Sequence, residues 1–354
     1  MSKLADMLAQ RIAATGPITL ADFMADALLH PEHGYYATRD PFGTAGDFTT
    51  APEISQMFGE MLGLFLAQTW VDQGQPANFT LAEPGPGRGT LMADILRATA
   101  GVPGFHAAAN VHLIEASPTL RKVQQENLAA YQVNWLDDVS QLPDAPLYLV
   151  ANEFFDALPI RQFHRDINGW REVQVTLSDG ILAKGLSAPA PIAALDHRLD
   201  DTNPGDIVEL CPSATAIVEQ IAERIEGNGG VALFIDYGDW RSLGDTFQAL
   251  KAHKVIDPLT QVGDADLTAH VDFEALAVAA KGVAHTTMIG QGMLLERLGI
   301  TARAQALARN MIGKPLESHI SAHRRLTHPQ EMGTLFKTLA LHPKGSPTPP
   351  GFAP

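Results

Sequence analysis

The sequence predicts an α/β fold in which a mostly parallel sheet carries helices on both faces. Two observations support this fold class. Four short, almost wholly apolar runs alternate with segments of helical periodicity, which is typical of strands buried on both faces. Each run also stops at a polar or acidic residue, at the edge where open α/β sheets bind their ligands. The runs and the residues that end them are 79–82 with Glu83, 111–114 with Glu115, 147–151 with Asn152-Glu153, and 230–235 with Asp236.

Length, charge and cysteine content narrow the classes of function. The chain has 354 residues and a net charge of −15. A protein that grips nucleic-acid backbone should be basic, so we expect no nucleic-acid partner. The single cysteine, Cys211, excludes an intramolecular disulfide. It also gives no support to a cysteine-rich metal site, so we expect no bound metal. No run approaches 18 apolar residues and no secretory signal is evident, so membrane insertion is not expected.

The first 70 residues are predicted to be helices around one long loop. Apolar residues recur at helical spacing over 4–12, and Thr19 with Asp22 predicts the capped start of a second helix. Residues 30–52 lack periodicity but are rich in aromatic side chains, which favours an ordered, functional loop. Helical spacing returns over 54–70.

After each predicted strand the chain continues through a helix or an insertion. Helices are predicted over 90–99, 117–131, 213–225 and, in the main, 291–322. Residues 160–186 alternate apolar and polar residues around the turn pairs Asn168-Gly169 and Asp179-Gly180, which predicts an antiparallel meander. The remaining predictions are a loop-rich insertion over 240–272, a closing edge strand over 335–341 and a frayed, proline-rich tail over 343–354.

A glycine-rich turn joins the first predicted strand to its helix. Its spacing, G-x-G-x-G, differs from the G-x-G-x-x-G of dinucleotide folds. Glycine is needed there because the backbone must take positive φ and pass close to a ligand. Glu83, at the head of the turn, would repel a phosphate but suits the ammonium and sulfonium of S-adenosylmethionine. The candidates for binding this cofactor are therefore Glu83, Gly85, Gly87 and Gly89.

Two further acids are candidates for the nucleoside part of the cofactor. Glu115 ends the next strand, where a carboxylate can accept hydrogen bonds from both ribose hydroxyls. Asp137, past the following helix, is placed to reach the adenine amino group. The alternative is that the glycines form an ordinary strand–helix turn and that Glu115 is a solvated strand end. The strand, the glycine turn, the helix and Glu115 follow one another in the order that a nucleoside-binding fold requires, which favours the cofactor-binding interpretation.

Four runs of residues give the sequence a wider resemblance. They are 46–55 (GDFTTAPEIS), 83–89 (EPGPGRG), 152–159 (NEFFDALP) and 265–273 (ADLTAHVDF). Over residues 4–341 the chain resembles the MidA-like class I methyltransferases, whose eukaryotic members are the mitochondrial complex I assembly-factor methyltransferases. The resemblance implies a Rossmann-like class I methyltransferase core with a smaller accessory α+β region, and S-adenosyl-L-methionine as donor. From the mitochondrial members it also implies arginine methylation of the quinone-proximal large subunit of complex I.

The resemblance and the order of elements predict how the chain is divided. The predicted parts are an N-terminal helical cap with a cofactor-covering loop (1–52), the first part of the core (53–159), a meander insertion (160–205), the continued core (206–239), an accessory insertion with helices (240–328), and a closing strand with the tail (329–354). Because the resemblance begins close to Met1, no room is expected for a mitochondrial presequence, and a bacterial cytoplasmic protein is predicted. The expected partner is a protein substrate, and a homodimer is left open.

The run after the third predicted strand supplies the candidate acceptor site. A guanidinium is always charged in water, and carboxylates that pair with it fix its plane so that one nitrogen faces the methyl group. Glu153 and Asp156 are the candidates for this pairing, and Asn152 adds a carbonyl acceptor. The alternative is that both acids open a short helix, whose dipole favours them. His270, with Asp272, is a candidate for orienting the substrate, although a lone histidine is more often structural.

Two residues of the early loop are candidates for the methionine end of the cofactor. Asp47 is placed to bind the ammonium, and Thr49 to supply a hydroxyl, if the loop folds over the site. The alternative is that Thr50 only caps the next helix, with Glu53 completing a capping box. Both interpretations are compatible with each other.

Three functions compete for the same sequence. The leading one is a protein arginine N-methyltransferase that uses S-adenosyl-L-methionine. A nicotinamide-dependent dehydrogenase shares the strand–glycine–helix logic but requires a different glycine spacing and no preceding acid. The third is a non-catalytic assembly chaperone with a retained cofactor pocket. Small-molecule, lysine and glutamine acceptors also stay open, because no residue excludes them.

Overall fold

The computed structural model describes residues 2–38, 50–252 and 254–352. The helices are α1 (Lys3–Thr15), α2 (Leu20–Leu29), α3 (Tyr35–Thr38), α4 (Ala51–Ile54), α5 (Gln56–Asp72), α6 (Thr90–Thr99), α7 (Phe105–Ala108), α8 (Pro118–Asn127), α9 (Pro212–Asn228), α10 (Phe273–Ala279), α11 (Gln291–Arg297), α12 (Ile300–Ala308), α13 (Lys314–Thr327) and α14 (Met332–Leu335). The strands are β1 (Ile18–Thr19), β2 (Phe79–Pro84), β3 (Ala109–Ile114), β4 (Val133–Leu136), β5 (Leu147–Asn152), β6 (Arg161–Asp166), β7 (Gly169–Ser178), β8 (Ile181–Leu186), β9 (Ile207–Leu210), β10 (Gly230–Asp239), β11 (Gln248–Lys251), β12 (Lys254–Ile256), β13 (Asp266–Thr268), β14 (Val271–Asp272), β15 (Ala284–His285), β16 (Ile289–Gly290) and β17 (Phe336–His342).

The largest sheet confirms the predicted α/β class. Its strand order is β15-β17-β10-β5-β2-β3-β4. The strands from β10 to β4 are all parallel to their neighbours, and β17 runs antiparallel to β10. The four apolar runs of the sequence are β2, β3, β5 and β10, so the polar residues that end them lie at one edge of this sheet. The strand predicted over 335–341 is confirmed as β17, but its predicted edge position is wrong, because β15 and β16 pair with the other side of β17.

Helices cover both faces of this sheet, as a buried parallel sheet requires. On one face, strand residues such as Val150 and Leu233 belong to the same apolar cluster as α5 and α6. On the other face, Leu149 and Phe234 belong to the cluster that contains α9 and α10. The predicted helix over 90–99 is confirmed, whereas the one predicted to reach 131 ends at Asn127.

Two smaller sheets lie outside the main one. The predicted meander is confirmed: β6 and β8 each pair antiparallel with β7, and tight turns join Asp166 to Gly169 and Ser178 to Ile181. The region 240–272, predicted as loop-rich, instead contains the three-stranded sheet β12-β11-β13. Its strands are only three or four residues long and carry little alternation, so the sequence gives no strand signal there.

The N-terminal helices pack against these smaller sheets. Leu4 of α1 and Phe23 of α2 belong to one buried cluster with Val175 of β7 and Leu267 of β13. The capping box predicted from Thr19 and Asp22 is confirmed at the start of α2. The six part boundaries predicted from the sequence stay predictions. Within the described ranges, no helix combines the length and the apolar content needed to span a bilayer.

The prediction that the proline-rich tail is frayed is wrong for its described part. Phe352 is buried, and its ring centroid lies 6.3 Å from that of Phe65 in α5. An ideal Cβ at Gly351 would come within 2.6 Å of Leu294 in α11. The tail therefore returns to the core because its one large apolar side chain has a place there, which proline content alone does not reveal.

We expect Phe352→Ala to lower the free energy of unfolding by about 2–4 kcal/mol, because truncating a buried aromatic side chain loses its burial and leaves a cavity. Chemical denaturation measures the change. The control is Ile312→Ala, since Ile312 is 84% exposed and should change stability by less than about 0.5 kcal/mol. Equal stability of Phe352→Ala and the wild type would contradict the packing of the tail.

Candidate active site

A cleft of about 300 Å³ opens at the carboxyl ends of the central parallel strands. Its walls come from elements that are distant in sequence. They include the glycine turn after β2, the turn after β5, the end of β10, the small sheet with β11 and β13, and the N-terminal helices α3 and α4. Most of the sequence-predicted site residues meet here, namely Glu83, Gly85, Gly87, Asn152, Glu153, Asp156 and His270.

The glycine turn, with Pro86 and Arg88 between its glycines, forms one wall of the cleft. Gly85 and Gly87 have φ values of 62° and 53°, in the left-handed region that glycine adopts at least cost. Gly89, at φ 79°, is the N-cap of α6. A Cβ at Gly85 would lie 2.9 Å from the ring of Phe154, so the turn is also packed tightly from behind. At Gly85 and Gly87 the turn therefore presents a cradle of bare backbone to a ligand.

Glu83 places a buried, under-satisfied carboxylate beside this cradle. The residue is only 3% exposed, and among the described residues no donor reaches its Oε2 atom. Burial raises the pKa of Glu83 to about 8. An unpaired acceptor in a dry wall of the cleft is the arrangement that a bound cation or hydroxyl would complete. The free carboxylate oxygen thus fits the ammonium of S-adenosyl-L-methionine, which would donate a hydrogen bond to it.

We expect Glu83→Gln to stabilise the protein in a pH-dependent way. The carboxyl ionises near 4.5 in the unfolded chain and near 8 in the folded one. Between those values the folded state holds a proton that the unfolded state has released, so this group's contribution to stability falls as pH rises. At pH 8 the free energy of unfolding of the variant should exceed that of the wild type by about a few kcal/mol, and its Tm should be correspondingly higher. Near pH 5 the two proteins should have the same stability. A difference that does not change with pH would contradict the assigned burial.

Three of the predicted cofactor residues do not line the cleft. Glu115 is buried at the end of β3, where Oε1 accepts a bond from the backbone N–H of Ser117 (2.7 Å) and Oε2 one from Gln124 (3.1 Å). Burial raises the pKa of Glu115, and these donors oppose the rise. Asp137 is 76% exposed in its side chain and pairs with Arg121. Gly89 also lies outside the lining of the cleft.

The predicted residues of the early loop have a mixed outcome. Asp47 and Thr49 lie outside the described residues. Thr50 lines the cleft and is the N-cap of α4, but its side chain makes no capping hydrogen bond. The predicted capping box is therefore wrong. Glu53 instead accepts a bond of 2.5 Å from the hydroxyl of Thr90, which ties α4 to the start of α6.

The turn after β5 holds the two acids predicted to receive the acceptor. Residues 153–159 form no helix, so the alternative that these acids open one is wrong. Glu153 has a φ of 50°, which is unusual for a residue other than glycine and is typical of functional sites. Its Oε1 accepts bonds of 3.1 Å from the backbone N–H of Ala51 and from Nδ2 of Asn152. Oδ1 of Asn152 is buried and has no partner among the described residues, so it is available to a ligand.

Asp236, at the end of β10, holds this turn in place from behind. It is fully buried, and its Oδ2 accepts the backbone N–H of Phe155 (3.0 Å) and of Asp156 (3.3 Å). Its Oδ1 accepts the backbone N–H of Tyr237 (2.9 Å). The backbone N–H of Glu153 also donates to Ile235 of β10 (2.9 Å). The sequence marks Asp236 as a strand end but gives no sign of this supporting role, which depends on β5 and β10 being neighbours.

Burial and mutual repulsion set the electrostatics of the acids around this turn. Burial raises the pKa of Glu153 to about 7, the N–H of Ala51 opposes this rise, and the charge of Asp156 adds to it. Burial also raises the pKa of Asp156 to about 7, and the hydroxyl of Tyr237 opposes it. The pKa of Asp236 is raised by burial and then by the charges of Asp156 and Glu153. Such a cluster gains most from a cation that neutralises it.

Asp266, on β13, adds a further acid to the lining of the cleft. The residue lies in the insertion that the sequence predicts as loop-rich, yet it is 3% exposed and lines the cleft. Its Oδ1 accepts a bond of 2.8 Å from the hydroxyl of Tyr36 in α3. The backbone carbonyl of Tyr36 in turn accepts the hydroxyl of Ser117, at the start of α8 (2.8 Å). Tyr36, which lines the cleft, thus ties β13 to the start of α8.

The two candidates from the run 265–273 separate in the structure. His270 lines the cleft, and its ring packs edge-on against Tyr237 with centroids 5.2 Å apart. Burial lowers the pKa of His270, as does the charge of Lys337. Asp272 is instead the N-cap of α10 and accepts the backbone N–H groups of Ala275 and Ser242, each at 2.9 Å. Over the described part of the chain, no group of three or more potential ligands is placed to hold a metal ion.

Comparison with known proteins links this cleft to one chemistry. Residues 61–291 match a family model described as "Putative S-adenosyl-L-methionine-dependent methyltransferase". The chain is 36% identical to the human "Protein arginine methyltransferase NDUFAF7, mitochondrial" over 95% of this chain and 82% of the relative. It is 34% identical to the protein of the same name from Xenopus tropicalis, over 94% and 84%.

The solved structures give the same answer. The chain is similar to a COG1565 superfamily protein from Burkholderia thailandensis bound to S-adenosyl-homocysteine, with a TM-score of 0.84 and 29% identity over 98% of this chain and 93% of that one. A second crystal structure, of an uncharacterised COG1565 superfamily protein from the same organism, has a TM-score of 0.81 and 28% identity, with the same coverage of both chains. The ligand of the first structure, S-adenosyl-homocysteine, is the demethylated product of S-adenosyl-L-methionine. This is the donor that the glycine turn and Glu83 predict.

Proposed function

The chain belongs to the family of S-adenosyl-L-methionine-dependent methyltransferases, and from this premise we propose that it methylates an arginine side chain of a protein, on a subunit of respiratory complex I. The observation that carries the choice of acceptor is the pair of carboxylates, half-buried Glu153 and buried Asp156, that faces the cleft from one turn. Because the chain belongs to this methyltransferase family, the alternative of a nicotinamide-dependent dehydrogenase is set aside.

The donor side of the cleft is assigned to the glycine turn. Gly85 and Gly87 would lie under the donor, and the free oxygen of Glu83 would accept its ammonium. When bound, the donor supplies an electrophilic methyl group on a sulfonium. Glu115, Asp137, Asp47 and Thr49 stay predictions as further contacts to it.

The acceptor side is assigned to the turn after β5. Glu153 and Asp156 would take N–H bonds from a guanidinium and fix its plane, and Oδ1 of Asn152 offers a third acceptor. A guanidinium nitrogen would bond to the methyl carbon as the methyl–sulfur bond breaks, with the electron pair leaving on sulfur as a neutral thioether. That nitrogen then carries one hydrogen too many and must release it as a proton. A carboxylate whose pKa is near 7 is suited to receive that proton at neutral pH. His270 is proposed to orient the substrate at the edge of the cleft.

The identity of the substrate rests on similarity. The relatives named as protein arginine methyltransferases cover nearly the whole chain, and this supports arginine over other acceptors. The complex I subunit follows from the resemblance to the mitochondrial assembly-factor members. A bacterial cytoplasmic location and a homodimer stay predictions.

The test is incubation of the purified protein with isotope-labelled S-adenosyl-L-methionine and solubilised complex I from a strain that lacks the protein. Label in a single subunit, assigned to arginine by mass spectrometry and lost with Glu153→Gln, supports the proposal. Label on lysine or glutamine would overturn the choice of acceptor. Donor binding by calorimetry without any label would favour the non-catalytic assembly chaperone.

A further inference from the structure

A basic rim borders the acidic cleft on one side. Helix α13 runs from Lys314 to Thr327, and it packs against α4 and α14. Both neighbours lead into the cleft: Glu53 of α4 lines it, and so do Leu335 and Phe336 at the end of α14 and the start of β17. A Cβ on Gly333 of α14 would clash with the carbonyl oxygen of Thr327, so the last turn of α13, which carries Arg324 and Arg325, lies against the segment that leads into the cleft.

Two cations of this rim act on residues of the cleft. Burial dominates the raised pKa of Glu153, but the positive charge of Arg325 is close enough to oppose it. The charge of Lys337, in β17, adds to the burial that lowers the pKa of His270. The mouth thus combines a floor of carboxylates with positive charge on the α13–β17 side.

Arg325 differs from its neighbour in sequence. Arg324 is exposed but already paired, because its Nε lies 2.9 Å from a carboxylate oxygen of Glu331 in an ion pair. Arg325 is also exposed, and the structure gives it no ion pair with any described residue. Lys337 donates from Nζ to the backbone carbonyl of Thr334 (2.6 Å), which holds it near the rim. Arg325 therefore has its donors available to a partner, and Arg324 does not.

We propose that Arg325, together with Lys337, which follows the cleft-lining Phe336, contacts the substrate chain next to the acceptor arginine and favours an acidic residue there. This inference rests on the proposed function. A protein segment that delivers a cation to the carboxylate floor must leave the cleft past its mouth, where complementary charge fixes its register. Leu335, which lines the cleft and is 52% exposed, adds an apolar contact at the same place. The preferred substrate is then an arginine flanked by acidic residues rather than by basic ones.

The test uses two peptides that differ only beside the acceptor arginine, one with glutamate and one with lysine at the flanking positions. Steady-state kinetics give kcat/KM for each with wild type, Arg325→Glu, Arg325→Ala and the control Arg324→Glu. We expect the wild type to prefer the acidic peptide and Arg325→Glu to lower that preference on the order of tenfold, mainly through KM, with a smaller loss for Arg325→Ala. The preference should weaken at high salt, since the charges are exposed.

The ratio of the two peptides separates recognition from side effects. Loss of Arg325 also changes the electrostatics of Glu153, but that change acts on both peptides equally and cancels in the ratio. An unchanged ratio in Arg325→Glu, or an equal change in Arg324→Glu, would overturn the inference while leaving the proposed function standing. If the wild type bound donor but methylated neither peptide nor complex I, the proposed function would fail and this inference with it.

Discussion

Glu153→Gln should reduce kcat for methyl transfer by about 10²–10³-fold and leave donor affinity nearly unchanged. The substitution keeps the shape of the side chain but removes the charge that pairs with the acceptor and receives its proton. Gln can still accept the backbone N–H of Ala51, the bond that holds the native side chain at 3.1 Å, so the turn should persist. The expected loss therefore lies in the chemical step.

Two measurements on the same protein preparation check this result. Calorimetry with S-adenosyl-homocysteine reports donor binding, and a labelled-donor assay with saturating acceptor reports kcat. The control is Glu317→Gln, an exposed acid in the first turn of α13 that does not line the cleft and should match the wild type in both. A variant at position 153 that binds donor and keeps kcat within about threefold would remove Glu153 from the acceptor site.

Local sequence signals located the ends of the strands well. Each apolar run is a strand of the main sheet, and its polar terminus lies at the carboxyl edge because parallel strands place those ends together. Glu83 and Glu153 could be selected in this way, since an apolar run that ends at an acid before a turn is a local pattern in the sequence. The spacing of the glycines is also a local pattern, and it favours S-adenosyl-L-methionine over a dinucleotide.

Residues whose role depends on distant packing were missed or misplaced. Asp236 supports the turn after β5 only because β10 lies beside β5, more than 80 residues later in the chain. Asp266 looks like a solvated loop residue until the short strand β13 turns it toward Tyr36. Glu115 ends β3 as the sequence indicates, but it is buried rather than solvated. Its partners Ser117 and Gln124, at the start of α8 and within it, hold it outside the lining of the cleft. No local pattern encodes these long-range neighbours.

The tail shows the same limit in its simplest form. Proline-rich composition predicts a frayed end, and it describes the backbone preference of the segment correctly. It does not register that a single aromatic side chain can anchor such a segment. Phe352 does so by reaching α5, almost 290 residues earlier in the chain.

Gly87→Val should abolish measurable donor binding, with an affinity loss of at least about 100-fold. Gly87 lines the cleft, and its φ of 53° is a conformation that a β-branched residue adopts only with strain. A valine side chain there would also occupy the space that the ligand needs. Steric exclusion and a disturbed cradle therefore act in the same direction.

Backbone strain alone must be separated from exclusion of the donor, and Gly74→Val provides the matched control. Gly74 also has positive φ, at 85°, but an added Cβ meets no atom within 4 Å, and the residue lies outside the cleft. Both variants should lose a similar amount of thermal stability, whereas only Gly87→Val should lose binding of S-adenosyl-homocysteine by calorimetry. If folded Gly87→Val bound the product as tightly as Gly74→Val, the glycine turn could not be the donor cradle. The cofactor would then have to lie elsewhere in the cleft, and the free oxygen of Glu83 would need a different partner.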